Sequence, residues 1–404
     1  MNNFKRFLVV LLVFLLLIPV FNNKYKSDEV VSELNIENHN RVVETVTTDS
    51  TLDKLKNNCK SYYLLDPTTN IVIAKHNEND RHQIASMTKI MTAIIVFDKI
   101  KEGNISYDTM VNISKNASNV EGSKILLDCN SSHSVDNLLK SLIVASANDS
   151  AIALAEHISG SEEGFVTLMN DRANILKLEN TKFCNVTGLP SDNQYSCSKD
   201  VAIMLNELMK NEKYFKYCSI WLEDYVHPSG RKTTMTNTNK LIKHYNGCDA
   251  GKTGYTSCAK HCLCASAKRN NTRFISCVIG AESSKERFFI ASELLNYGFN
   301  NYTNKVIFNK NQKVATVNIK GAKNNNIDVF AKEDITVFSK NNTKIDYDIE
   351  IIQEQIKAPI SSGTVVAKAV VTSNNKKCEY DLVITEDVLE KDYLDSLNDI
   401  FINW

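Results

Sequence analysis

Ser86 and Lys89 stand three residues apart in Ser86-Met87-Thr88-Lys89, and the run Ile90-Met91-Thr92-Ala93-Ile94-Ile95-Val96-Phe97 follows at once. A serine and a lysine at that spacing share one face of a helix, close enough for the amine to take the hydroxyl proton. The apolar run predicts that the helix is buried. A serine at its start lies at the positive end of the helix dipole, among free backbone N–H groups that can bind an oxyanion. The chemistry on offer is acyl transfer through a serine ester. Ser-x-x-Lys recurs at Ser196–Lys199, Ser229–Lys232, Ser257–Lys260 and Ser373–Lys376. The pair alone therefore does not select Ser86; two later motifs, in order behind it, do.

The first is Ser146-Ala147-Asn148, between two apolar helical stretches. A hydroxyl there can pass a proton to a leaving amine, and the amide can bond a substrate carbonyl and hold Lys89. Ser191-Asp192-Asn193 and Ser373-Asn374-Asn375 share the form, but one lies in a Gly188/Pro190 loop and the other follows the lysine motif. The second is Lys252-Thr253-Gly254, which occurs once and reads as a strand. Its ammonium would attract a substrate carboxylate and Thr253 would hydrogen-bond it. Gly254 would leave room for substrate along the strand edge, and the Tyr255 N–H would join that of Ser86 as an oxyanion hole. To act as a base Lys89 must be partly neutral, and both burial and the like charge of Lys252 lower its pKa.

The elements that must position these groups follow from the pattern. Ser61–Leu65 and Ile71–Ala74, around Pro67-Thr68-Thr69-Asn70, predict a hairpin. Helices are expected at 134–158, broken around 145–150, and at about 162–178 and 198–210. Strands follow near 251–255, 261–268 and 274–280, and then a helix at 284–297. Strands at both ends with helices between them predict an α+β domain whose sheet closes late in the chain. After Phe299, short alternating runs separated by Asn, Lys and Gly predict a small all-β domain. Residues 386–404 read as an amphipathic helix with Leu389, Tyr393, Leu397, Ile400 and Trp404 on one face.

At 404 residues, two domains are the default, and 43% hydrophobic content is ample for their cores. Basic and acidic residues balance at 47 each, which gives no sign of a nucleic-acid partner. Lys5 and Arg6 precede an apolar run from Phe7 to Phe21, the layout of a signal peptide or a retained signal anchor. The 11 cysteines are an odd number and many sit in apolar runs. Cys258, Cys262 and Cys264, with His261 alone nearby, lack the spacing of a zinc site, and a buried strand accounts for Cys262 and Cys264. No metal and no cofactor are expected.

The ordered set Ser-x-x-Lys, Ser-x-Asn, Lys-Thr-Gly resembles that of penicillin-binding proteins and class A β-lactamases. The likeness extends to Ile84–Ala93, Ser146–Ala151, Gly251–Thr256, Glu121-Gly122-Ser123, Asn185–Pro190 and Cys262–Ala267. These stretches are similar to the exported D-alanyl-D-alanine carboxypeptidases, the low-molecular-mass penicillin-binding proteins. Ala358-Pro359-Ile360 with Gly363 resembles that family's C-terminal β domain. The resemblance implies an α+β fold: a β-lactamase/transpeptidase-like domain, with an antiparallel sheet and a helical cluster, followed by a small all-β domain. It also implies a division into signal segment 1–24, linker 25–56, peptidase domain 57–300, β domain 305–380 and C-terminal helix 386–404.

The same resemblance implies the reaction. The substrate would be the D-Ala-D-Ala end of peptidoglycan stem peptides, and β-lactams would be covalent inhibitors. Ser86 would be acylated with Lys89 as base, Ser146 and Asn148 would serve the leaving group and positioning, and Lys252 and Thr253 would clamp the carboxylate. The enzyme would work on the cell-wall side of the membrane. Three positions depart from the family pattern: Asn70 replaces a turn glycine, Gln194 a histidine and Lys260 a glycine. The tail departs too, because Glu386, Asp387, Glu390, Asp392, Asp395 and Asp399 would repel anionic lipid, so membrane attachment there would be weak. The competing reading is a class A-like β-lactamase. It requires a deacylating Glu between the second and third motifs, and Glu207-Leu208-Met209-Lys210-Asn211 has that form on an amphipathic helix.

Overall fold

Along the strand Ser61–Asp66, Tyr63 and Leu65 face one apolar cluster while Tyr62 and Leu64 face another, and all four are buried. Alternate side chains of a strand point to opposite faces, so the sheet around it is covered on both sides. The computed structural model describes residues 43–44 and 50–392, apart from 325, 342, 344, 374 and 375. Its central sheet runs in the order Val43–Glu44, Ile71–His76, Ser61–Asp66, Thr272–Ala281, Lys260–Arg269, Cys248–Thr256. All neighbours are antiparallel except the first pair. The predicted hairpin is present, and the register Ile279↔Ser61 closes the early strands on the late ones. The Lys-Thr-Gly strand lies at the open edge.

One face carries the helices Lys89–Lys101, Val135–Val144, Asn148–Ser159, Glu162–Ile175 and Ser198–Leu208. The helix beginning at Lys89 has nine successive buried residues, Lys89 to Phe97, so it runs through the middle of this layer. The other face is covered by Ser284–Asn301 and by a short helix, Ser50–Lys56. That short helix corrects the expectation of a linker up to residue 56. Leu52 and Leu55 are buried, and the Tyr62 hydroxyl donates to the Leu52 carbonyl at 3.3 Å. Two leucines three apart suffice to dock a turn of helix, too few to show as a period. Of the remaining linker only Val43–Glu44 is described, as a strand beside Ile71 and Val72. The signal segment lies outside the described residues.

Strand Tyr302–Phe308 leads into the C-terminal region and pairs with Ile335–Lys340. A five-stranded sheet follows, ordered Lys313–Asn318, Asn326–Ala331, Lys376–Val383, Val365–Ser373, Asp348–Gln353. Residues 386–392 are not helical, against expectation. Val388 is buried and bridges Ile360, Glu390 bridges Ala322, and the Lys391 N–H donates to the Gly321 carbonyl at 2.8 Å. The segment is extended and seals the β domain, with Val388 turned in and Leu389 out. The rest of the expected helix, 393–404, lies outside the described residues. Among the described residues, no helix is long and apolar enough to cross a membrane. Cys262 and Cys264 are free thiols buried in the sheet, as expected.

Where the C-terminal strands meet the central sheet, the Asp66 carboxylate is enclosed. It accepts from the Thr68 and Thr69 N–H groups at 2.7 and 3.1 Å and from Asn304 Nδ2 at 2.5 Å. Burial outweighs these three bonds and pushes the carboxyl up to about 6. A carboxyl raised in the folded state binds its proton more tightly there than in the unfolded chain. Its contribution is therefore greatest below the ordinary value of 3.8 and is lost as pH rises through about 6. The difference amounts to about 3 kcal/mol. Asp66→Asn carries no charge, and its amide can pair with Asn304, whose Oδ1 is buried without a partner. The variant should melt higher than the parent above pH 6, with the advantage disappearing near pH 4, as thermal melts across that range would read.

Candidate active site

Ala85–Thr88 forms a 3-10 turn that runs directly into the helix Lys89–Lys101, and Ser86 is half-buried on it. Ala85 has φ +47, a left-handed conformation rare for a residue with a side chain. The turn is held by close backbone contacts. A Cβ added to Gly188 would stand 2.0 Å from the Ala85 carbonyl oxygen, and one on Gly254 would stand 2.6 Å from that of Ile84. Only glycine fits at either position. For Gly254 this revises the sequence reading: its missing side chain makes room for the serine turn itself. Gly188, on the loop after Asn185, was quoted from sequence without a role.

Lys89 Nζ lies 3.1 Å from Ser86 Oγ and donates to the Thr187 carbonyl at 2.7 Å. The side chain is fully enclosed. Burial first, and the Lys252 ammonium second, hold the amine well below its ordinary value, against a smaller upward pull from Asp149. Among the described residues neither Lys89 nor Lys252 belongs to an ion pair. An amine whose proton is loosened in this way, in hydrogen-bond reach of a serine hydroxyl, can act as a general base.

Ser146 and Asn148 lie at the break between the helices Val135–Val144 and Asn148–Ser159, as the interrupted periodicity indicated. Ser146 also has a left-handed φ, +60, and its Oγ accepts from Lys252 Nζ at 2.7 Å. Asn148 departs from expectation, for its amide does not hold Lys89. Nδ2 donates to the Glu121 carbonyl at 2.6 Å, its N–H donates to Ser123, and Oδ1 is buried with no protein partner. The amide is thus braced by the loop 121–123 and keeps an acceptor free. Beside it Asp149 accepts from the N–H groups of Ile125, Leu127 and Ser150, which fixes the same loop. Asp149 was not singled out from sequence because its role is to hold backbone that cannot be recognised before the chain folds.

Lys252 and Thr253 are buried. Burial first, and the Arg287 guanidinium second, lower Lys252 to about 7. Arg287 donates to the Gly254 and Cys262 carbonyls at 3.0 and 3.3 Å and adds positive charge behind the strand. It too was missed, since a single arginine on a helix has no sequence signature. The Gly251 N–H and carbonyl both meet the Tyr214 hydroxyl, at 3.3 and 3.4 Å, off the outer edge of the strand. The register is regular from Ala250 to Thr256, so Thr253 and Tyr255 present their backbone groups along that same edge. The Tyr255 side chain is exposed and stacks on His261, ring centroids 4.4 Å apart.

The structure thus gathers Ser86, Lys89, Ser146, Asn148, Lys252, Thr253, Gly254 and Tyr255 around the open edge of the sheet. The rival serines have no such company. Ser196 is buried against Thr181, Ser373 donates to the Asp346 carbonyl, and Ser257 lies at the tip of a hairpin. Glu207, the deacylating residue of the lactamase reading, is ion-paired with Arg172 and Lys210 at 2.9 and 2.7 Å on its helix. A hollow of about 410 Å³ lined by Phe330 and Val388 lies away from this chemistry, in the C-terminal domain. Asn70 and Lys260 adopt φ values of +54 and +58, where glycine is the easier residue.

The chain matches the D-alanyl-D-alanine carboxypeptidase family over residues 44–283 and the penicillin-binding protein 5 C-terminal domain over 302–390. D-alanyl-D-alanine carboxypeptidase DacF of Bacillus subtilis is 37% identical, covering 87% of this chain and 91% of its own. DacD of Escherichia coli is 32% identical over 84% and 89%. Among solved structures, penicillin binding protein 5 from Haemophilus influenzae has TM-score 0.67 and 29% identity, covering 86% of this chain and all of that one. The carboxypeptidase DacD from Francisella tularensis has TM-score 0.64 and 28% identity, covering 87% and 97%.

Proposed function

Because this chain belongs to the D-alanyl-D-alanine carboxypeptidase family, we propose that Ser86, Lys89, Ser146 and Asn148 carry its catalysis and that Lys252, Thr253, Gly254 and Tyr255 hold the substrate. The enzyme is a serine-type D-alanyl-D-alanine carboxypeptidase and a penicillin-binding protein. It removes the terminal D-alanine of peptidoglycan stem peptides. One observation carries the site assignment: Lys89 Nζ, its pKa pushed well below the ordinary amine value by burial, lies within 3.1 Å of Ser86 Oγ.

The substrate carboxylate meets the Lys252 ammonium and the Thr253 hydroxyl, and the free Asn148 Oδ1 accepts from a substrate N–H. Lys89 takes the Ser86 proton as Oγ bonds to the penultimate carbonyl carbon. The oxyanion is received by the N–H groups of Ser86 and Tyr255. As the peptide C–N bond breaks, the leaving nitrogen takes a proton from the Ser146 hydroxyl; Lys252, 2.7 Å from Ser146 Oγ, reprotonates it and is recharged by the proton that Lys89 took from Ser86. Water then adds to the ester and releases Ser86. A β-lactam enters the same path, but its leaving nitrogen stays tethered, so the adduct persists. We place this work on the cell-wall side of the membrane, in keeping with the Lys5–Phe21 segment. A peptidase domain ending near residue 300, followed by a β domain over 305–380, is proposed on the same footing.

The carboxylate clamp supplies the test. Charge-assisted hydrogen bonds in a dry cleft are worth about 1.5–3 kcal/mol. Lys252→Ala should therefore lower kcat/KM for a peptide acid ending in D-Ala-D-Ala by about tenfold or more. The C-terminal amide should be a poor substrate for the parent, and the variant should discriminate less between acid and amide. Mass analysis of released D-alanine reads both. Equal losses on acid and amide would remove Lys252 from the clamp, and no release from the acid by the parent would overturn the site.

A further inference from the structure

We propose that Asn185 and Gln194 are positioning residues for acylation: they clasp the Thr187–Gly188 peptide so that its carbonyl sets the rotation of the Lys89 amine. The inference rests on Lys89 being the base for Ser86. A neutral amine has two N–H bonds and one lone pair, and only the lone pair can take the serine proton. With Nζ donating to Thr187 O at 2.7 Å, the remaining directions are fixed and the lone pair can be turned toward Ser86 Oγ at 3.1 Å. The carbonyl is backbone, so its aim depends on what holds the peptide plane.

The hold comes from Asn185. In a trans peptide the C=O and the following N–H point in opposite directions. The Thr187 carbonyl faces Lys89, and the Gly188 N–H on the other side of the plane donates to Asn185 Oδ1 at 2.7 Å. Asn185 Oδ1 also accepts from the Thr187 N–H and hydroxyl, both at 3.3 Å, while Asn185 Nδ2 donates to the Leu189 carbonyl at 3.0 Å. Gln194, itself buried, fixes Asn185 in turn. Its Oε1 accepts from the Cys184 and Asn185 N–H groups at 2.9 and 3.0 Å, and its Nε2 donates to Asn185 Oδ1 at 3.3 Å. A carbonyl oxygen with two lone pairs can take both backbone donors, which one imidazole nitrogen cannot. Glutamine at 194 thereby gives this loop a clasp that does not titrate. On the far side, the approach of Gly188 to Ala85 leaves the peptide no space to shift toward the serine turn. Among the described residues, neither side chain hydrogen-bonds Ser86 or Lys89.

The test is the rate of acylation by a fluorescent penicillin across pH, with the adduct located by peptide mass analysis. Asn185→Ala frees the peptide and should slow acylation by about tenfold or more at neutral pH, with the affinity of the reversible complex within about twofold. A carbonyl stabilises the ammonium more than the amine, so its loss should move the acidic limb to lower pH. Asn185→Asp keeps the oxygen for Gly188 N–H but sets a carboxylate one peptide from the amine. It should restore most of the rate at high pH and move the acidic limb the other way. Gln194→Met, of similar shape, should follow Asn185→Ala with a smaller loss, and it serves if Asn185→Ala does not fold. Opposite shifts of the limb support the clasp; a structural role alone would move neither. Rates within twofold of the parent, or an unmoved limb, overturn it. An adduct still on Ser86 would then leave the Ser86–Lys89 assignment standing, whereas a parent adduct elsewhere would remove that assignment itself.

Discussion

Ser86→Ala should abolish both the penicillin adduct and D-alanine release, with residual activity below about one part in 10³. The substitution removes the one atom that forms the ester and leaves Lys89, Ser146 and Lys252 in place. Binding should persist, because the carboxylate clamp and the Asn148 acceptor lie on other elements. The variant should fold normally. Among the described residues, Ser86 Oγ is hydrogen-bonded only to Lys89, and a methyl group fits where a methylene already stands. Gel fluorescence after labelling checks the adduct, and mass analysis of a peptide ending in D-Ala-D-Ala checks release. The alternative outcome is equally plain. A label that persists and maps to Ser196, Ser229, Ser257 or Ser373 would transfer the nucleophile to another Ser-x-x-Lys.

Why Ser86 could be chosen from sequence, and its supporting cast could not, has a physical cause. A nucleophile and its base must lie within hydrogen-bond reach, and on a helical turn that constraint becomes a fixed spacing. The same holds for Ser146 and Asn148 at a helix break and for the Lys-Thr-Gly strand. The sheet was legible for a similar reason: Ser61–Asp66 and Thr272–Ala281 carry the unbroken apolar density of two-sided burial. Thr187, by contrast, acts through its carbonyl, which every residue possesses. Asp149 and Arg287 serve backbone groups that come near only after folding. Gly254 was noticed for the right residue and the wrong neighbour, since a missing side chain does not say what occupies the space. The helix expected from residue 386 shows the opposite error. Its spacing lies mostly beyond residue 392, while Val388 and Glu390 follow the period of a bridged strand.

The two lysines together set how the enzyme answers to pH, and Lys89→Ala should separate them. Acylation requires Lys89 as the free amine and Lys252 as the ammonium. Lys89 is held well below its ordinary value by burial and by Lys252, so its protonation is assigned to the acidic limb. Lys252, lowered to about 7 by burial and Arg287, loses its charge on the alkaline side. For the free enzyme, kcat/KM on a peptide acid should rise through the first transition and fall through the second, near pH 7. These are macroscopic values of an interacting pair. In kcat the alkaline fall should move upward, because a bound substrate carboxylate stabilises the Lys252 ammonium. Removing the amine should lower acylation by about 10² to 10⁴-fold, the ordinary worth of a positioned base. It should also erase the acidic limb while the alkaline one remains, since Lys252 still has to be charged to hold the acid. A C-terminal amide should show the converse with the parent enzyme: the acidic limb stays and the alkaline one is lost. Should Lys89→Ala retain both limbs, the base lies elsewhere. If instead the amide retains the alkaline fall, that transition belongs to a group other than the clamp.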